Sequence, residues 1–316
     1  MNKVCVIGVY FGKLPNYFPL WMKSAKSNKE IDFLIFGDNR LQDEENIKFH
    51  YLEWADLKSR AEKVLGYVPA LEKPYKCCDY KPLYGLLFAD HVKHYEFWGH
   101  CDFDLIFGDL AFFFKQEKID DYDRFLALGH LSLYRNTLQV NQRYKIKNEY
   151  MSEAQVFTSN KIFVFDEIPG MTQTYIENGW PLYAKRIFAD ITHMYKRFRL
   201  SDYYFLDKKV KNYKHQVFYW EKGKIYRAFI ENGELQKEEY LYMHFKKRPN
   251  FEITSDLLNA DSFYITPNGF FVKEQEVTRA DIDKYNPYKG AIYEWWEKTR
   301  FSIKKFFERV RNRLKR

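Results

Sequence analysis

Two carboxylates stand two residues apart in Phe97-Trp98-Gly99-His100-Cys101-Asp102-Phe103-Asp104. Apolar and aromatic residues flank them on both sides, with Gly99 and Gly108 close by and a third acid at Asp109. A D-x-D closing a buried strand can hold a hard divalent cation, Mn2+ or Mg2+, through carboxylate oxygens, directly or through water. A cation held there neutralises a diphosphate and stabilises it as it departs. The tripeptide alone recurs by chance, so its weight comes from the strand that delivers it.

Other residues could join that chemistry. His244 ends an apolar run and is followed by Phe245, Lys246, Lys247 and Arg248. A neutral imidazole can complete a metal shell, and Lys247 and Arg248 can hold diphosphate oxygens. The plainer reading is a surface histidine beside solvated cations. Asp79 and Lys81 precede the D-x-D by about twenty residues. Lys81 can reach a phosphate or orient a site carboxylate, whereas Asp79 reads as the N-cap of an ordinary helix. Glu167 and Asp190 are candidates for a general base. Each is more often a helix-surface acid or a cap.

The elements that must position these residues follow from periodicity. Val4–Tyr10 and Ile31–Phe36 are near-continuous apolar runs, as in strands buried on both faces of a parallel sheet. Lys48–Leu52 reads as a short third strand and Tyr95–Cys101 as the strand before the D-x-D. Helices are expected over 17–27, 55–65 and 79–92. This alternation predicts a doubly wound sheet, whose ligands lie beyond the carboxyl ends of the strands. Later, strands are expected over Phe125–Leu133, Lys161–Phe165 and Tyr240–Phe245, with a helix over Leu182–Tyr195. Hairpins are expected around 221–223 and 267–269, and a polar linker over 273–290.

Length and composition set bounds. A chain of 316 residues, 46% hydrophobic and 20% aromatic, can bury a substantial core and is no disordered or fibrous polymer. The net charge of +8 is uneven: residues 291–316 hold nine Lys/Arg and three Glu, leaving +2 for the rest. The body therefore lacks the basic face that nucleic acid requires. Four cysteines without a C-x-x-C argue for a reducing compartment rather than a zinc site or disulfide framework. The first strand begins too early for a signal peptide, and no run of apolar residues is long enough to span a membrane. From Ile292 to Leu314 the apolar residues largely fall on one helical stripe with Lys and Arg around it. That pattern suits an anionic membrane interface, or else docking on the body or in a dimer.

Taken together, the first strand with Tyr10, Ile35-Phe36-Gly37-Asp38, Asp79-x-Lys81-Pro82, Trp98 to Asp104 and His244-Phe245 resemble bacterial GT-A glycosyltransferases of a capsule- and lipopolysaccharide-associated group. The resemblance spans about residues 3–250 and is most specific over 97–110. It implies a GT-A-like (Rossmann-like) α/β fold, a mixed sheet with helices on both faces. Residues 1–110 would be the nucleotide half and 111–272 the acceptor half of one domain, followed by the linker and the amphipathic helix 291–316. It implies Mn2+ (or Mg2+) on Asp102, Asp104 and His244, with Asp104 nearer the metal. A nucleotide-sugar donor would meet Tyr10, Asp38, Lys81, Asp102, Lys247 and Arg248. The acceptor, a glycan or a lipid-linked one, would meet His130 to Asn136, Asp166, Glu167, Asp190 and the hairpin at Trp220. In several retaining families the late motif resembles His-Phe-x-Gly-x-x-Lys-Pro; here His244-Phe245 matches, no glycine follows, and Arg248-Pro249 stands in for the end. The expected enzyme transfers a hexose or related sugar, in the cytoplasm on the inner face of the plasma membrane, for surface-polysaccharide synthesis. A non-catalytic GT-A-like protein that binds carbohydrate or a partner at the membrane is the other expectation.

Overall fold

Val4–Tyr10 (β1) shows why the sheet is central. Its side chains alternate between two apolar cores: Val4 and Val6 enter one, Cys5 and Ile7 the other. A strand with both faces buried needs a layer on each side. The helix Phe18–Lys26 covers the first face through Phe18, Trp21 and Ala25. The helix Trp54–Leu65 and the helical passage 77–92 cover the second through Leu57, Ala61, Tyr84 and Phe88. The computed structural model describes residues 3–207, 209–246 and 251–314.

Seven strands form the main sheet: β1, Ile31–Gly37 (β2), Ile47–Tyr51 (β3), Phe97–Cys101 (β4), Arg124–Leu128 (β6), Leu131–Arg135 (β7) and Leu182–Tyr183 (β8). Their order is β3-β2-β1-β4-β7-β6-β8. β1 pairs in parallel with β2 and β4, and β7 runs antiparallel to both β4 and β6. This is the mixed α/β sheet with helices on both faces that the sequence leads one to expect. A second, three-stranded sheet crosses below the D-x-D. Tyr242–His244 (β13) pairs antiparallel with Leu105–Phe107 (β5) and parallel with Ala189–Asp190 (β9). Gln216–Glu221 (β10), Lys224–Glu231 (β11), Glu234–Tyr240 (β12), Ser262–Thr266 (β14) and Gly269–Val272 (β15) make an antiparallel sheet.

Several local expectations are corrected. Phe125–Leu133 is two strands around a turn at Gly129-His130, because β6 and β7 fold back on each other. Residues 161–165 form no strand, and 182–195 hold two short strands rather than a helix. Asp79 caps nothing. It lies within the short helix Cys77–Tyr80, wholly buried, where it accepts from the Phe163 and Phe165 amides and pairs with Lys76 at 2.8 Å. The stretch 273–290 contains the helix Arg279–Tyr285, which buries Ile282 against the antiparallel sheet. Asn286 then bonds the backbone of Phe198 and Gln216, so this polar stretch is fastened down. Lys247 and Arg248 lie outside the described residues.

Candidate functional site: a carboxylate and imidazole cluster

The D-x-D follows the end of β4 directly, in a bend at Phe103-Asp104. Phe103 turns into the core and meets the rings of Tyr10, Phe18 and Trp21 at 5.2–5.5 Å. Asp102 and Asp104, one residue to either side, bring their carboxylates within 4.8 Å of each other. Backbone bonds fix the turn. The Asp102 amide donates to the His130 carbonyl (3.0 Å), Trp21 Nε1 donates to the Asp102 carbonyl (3.2 Å), and the Phe245 amide donates to the Asp104 carbonyl (3.2 Å). Strands β5 and β13 therefore bring the late His244 beside the early Asp104.

His244 is 7% exposed and placed between two acids. Its Nδ1 donates to Asp190 Oδ1 at 2.7 Å, and its Nε2 lies 3.3 Å from Asp104 Oδ2. A carboxylate only accepts, so Asp190 fixes the Nδ1 proton and aims Nε2 at the D-x-D. Burial lowers the imidazole's proton affinity, but Asp104 and Asp190 outweigh it and raise the pKa to about 9. Single ligand atoms of Asp102, Asp104 and His244 all lie within 4.8 Å of one another. Once a cation displaces the Nε2 proton, two carboxylates and one imidazole form a hard-oxygen set with one nitrogen, which suits Mn2+ or Mg2+. A second such grouping joins His130, Asp190 and His244. There Asp190 already accepts from His244, from Lys246 at 2.7 Å and from the Tyr203 hydroxyl. Burial pushes its pKa up, yet His244 and Lys246 hold it well below the usual carboxylate range. Asp190 is thus a fully buried, ionised support for His244.

Lys81 organises the other side. Its ammonium donates to Asp102 Oδ1 and to the Gly129 carbonyl, both at 2.8 Å, and lies 3.0 Å from Asp166 Oδ2. Burial lowers its pKa, but the two acids more than restore the charge. Of the two roles open to Lys81, orienting a carboxylate is the one this geometry displays. Asp166 and Glu167 come from a loop hung on the buried Lys76–Asp79 pair. Arg124 donates to the Asp166 carbonyl (2.7 Å), and the Gly129 amide donates to Glu167 Oε1 (2.9 Å). A Cβ on Gly129 would lie 2.1 Å from Asp166 Oδ2, so only glycine permits this approach. Burial, with Asp166 adding to it, pushes the Glu167 pKa up to about 7.

Beyond the ends of β1 and β2 a shallow cleft is lined by Tyr10, Leu14, Gly37, Asn39, Leu41 and Phe49. Tyr10 connects it to the cluster, since burial and then the charge of Asp104 raise its hydroxyl pKa. Asp38 is exposed beside the cleft, accepting from the Gly12 amide at 2.8 and 3.0 Å. The hairpin at Trp220 does not join the site. Trp220 is core, 4% exposed, with its Nε1 donating to the Phe107 carbonyl. Tyr134 is buried against Trp98, and Asn136 holds the carbonyls of Val92 and Tyr95. From that acceptor stretch His130 alone reaches the cluster, its ring tilted by 32° at 4.5 Å from that of His244.

Sequence reading overlooked Tyr203, Lys246 and Gly129. Lys246 had a signal as the first cation of the run after His244, although it lies past the end of β13 and at positive φ. Nothing local marks Tyr203 or Gly129.

A family model described as "Family of unknown function (DUF6625)" matches residues 6–274. No curated protein matches the sequence. Among solved structures, one similar chain is a galactosyltransferase, LgtC, in complex with donor and acceptor sugar analogs: 11% identity, TM-score 0.31, covering 59% of this chain and 75% of that one. Another is mouse xyloside xylosyltransferase 1, apo form: 8% identity, TM-score 0.35, covering 60% of this chain and 87% of that one. Likeness of this degree carries no argument about activity.

Proposed function

The chain belongs to the family of unknown function DUF6625, and from its site we propose that it is a metal-dependent glycosyltransferase. It would move a sugar from a nucleoside-diphosphate donor, UDP-linked by the resemblance of its motifs, to a glycan hydroxyl in bacterial surface-polysaccharide synthesis. The observation that carries this reading is the convergence of Asp102, Asp104 and His244 within 4.8 Å at the strand ends, from chain positions about 140 residues apart.

Asp102, Asp104 and His244 would hold Mn2+ or Mg2+. Bound there, the cation supplies charge neutralisation for a departing diphosphate. Asp190 fixes the imidazole, and Lys81 holds one oxygen of Asp102 so that the other faces outward. Tyr10, beside the shallow strand-end cleft, would meet the base of the donor, as the resemblance implies. A nearby Asp38 would meet the ribose, as the resemblance implies. On the acceptor side Glu167 is the better candidate base. Its proton affinity lies near neutrality, where a general base works best. Asp190 is unsuited to that role because three donors already occupy it.

The decisive measurement is calorimetric titration of UDP with and without Mn2+. Binding is expected to need the cation and to be lost in Asp104→Ala. Absence of nucleotide binding with any divalent cation, together with an unaffected Asp104→Ala, would overturn the proposal.

A further inference from the structure

The helix Ala291–Leu314 takes no part in that site, yet its root is firmly held. Glu294 pairs with Arg197 and Arg199, and Glu297, 6% exposed, accepts from the Lys196 amide. Beyond this anchorage the apolar side chains stand open: Trp295 is 67% exposed, Ile303 52%, Phe306 61% and Phe307 64%. At 3.6 residues per turn, Trp295, Trp296, Ile303, Phe306, Phe307 and Val310 share an arc of about 120°. Arg300, Lys304 and Arg311 border this arc on one side, Lys298 and Lys305 on the other.

Charge selects the occupant. Residues 298–316 hold nine Lys/Arg and one acid, Glu308, which already pairs with Lys305 at 3.1 Å. Their net charge of +8 equals that of the whole chain, so residues 1–297 are neutral in sum. A second copy of this helix would bring like charges together along the apolar face. Nucleic acid would satisfy the cations but leave the Phe and Trp rings in water. A bilayer interface answers both demands, with acyl chains for the rings and lipid phosphates for the flanking cations. No described helix is long and apolar enough to cross a membrane, which leaves an in-plane pose. We propose that residues 298–314 lie in the interface of an anionic membrane, rings downward, with the Glu294–Glu297 root fixing the body above it.

The test is flotation of the intact protein with phosphatidylcholine vesicles, with and without phosphatidylglycerol. Binding is expected with phosphatidylglycerol only, weakening as salt is raised. Phe306→Asp with Phe307→Asp, and separately Lys304→Glu with Lys305→Glu, should each lower partitioning on the order of tenfold or more. UDP binding and helical circular dichroism should be retained in both variants. Equal binding to both lipids, or to neither, overturns the proposal, as does anionic binding that ignores the phenylalanine changes. A dimer seen by sedimentation, dissolved by those changes and indifferent to vesicles, would assign the face to a second copy instead.

Discussion

Asp190 and Glu167 look alike as sequence: each is an acid in the later half of the chain, beside apolar residues. Their surroundings make them opposites. Asp190 is fully buried and receives His244, Lys246 and Tyr203, which hold it ionised. Glu167 receives one amide, and burial, with Asp166 adding to it, raises its pKa to about 7. An acid surrounded by donors is a structural anion that positions something else. An acid short of donors is poised to exchange a proton at neutral pH.

The largest expected effect comes from the proton-exchanging member. Glu167→Gln keeps the oxygen that the Gly129 amide bonds but removes the base. Turnover should fall about a hundred- to ten-thousand-fold, with UDP and Mn2+ binding retained. In the parent, kcat/KM should rise with pH through about 7 as Glu167 loses its proton, and the variant's profile should be flat there. A variant that loses nucleotide binding as well would erase the distinction between the two acids.

Asp190→Asn should act through His244 instead. Metal affinity should drop about ten- to a hundredfold, read by Mn2+ titration of UDP binding, and saturating Mn2+ should restore part of the rate. Asp190→Ala removes the anion and leaves Lys246 and His244 facing each other in a buried place. That variant should lose about 3–5 kcal/mol of stability in urea unfolding.

A subtler difference concerns stability against pH. Between the ordinary glutamate range and about pH 7, the folded chain keeps a proton on Glu167 that the unfolded chain has released. Stability from this group therefore falls as pH rises across that window. Glu167→Gln stays neutral throughout, so its Tm should exceed the parent's at about pH 8 and match it at about pH 5. The smallest effect belongs to Tyr203→Phe, which removes one of the donors to Asp190. It should cost about 0.5–1.5 kcal/mol in the same unfolding assay and leave the pH profile of turnover in place.

Much of the N-terminal half could be read directly. β1, β2 and β4 are near-continuous apolar runs, interrupted by Asp32 in β2 and His100 in β4, and such runs have few alternatives to a strand buried on both faces. The D-x-D could be placed at a strand end for the same reason. The later half resisted because its elements are short. β8 and β9 are two residues each, too few to display a period, so the apolar spacing of 182–195 imitated a helix. The β11–β12 hairpin was overlooked although Asn232-Gly233, both at positive φ, is a strong turn signal. The polar residues of β12 conceal the strand, because it lies at the edge of its sheet.

Residue types and their spacing along the chain were enough to determine the first strands of the sheet, the strand end and the two carboxylates beyond it, since these depend on local pattern. They also determined the amphipathic, cationic character of the helix 291–314. The meeting of His244 with Asp104, the burial of Asp190 behind it, and the contrast between Asp190 and Glu167 belong to tertiary structure alone. Each depends on contacts between residues far apart in the chain, and a side chain's charge state is set by what surrounds it in space rather than by what adjoins it in sequence.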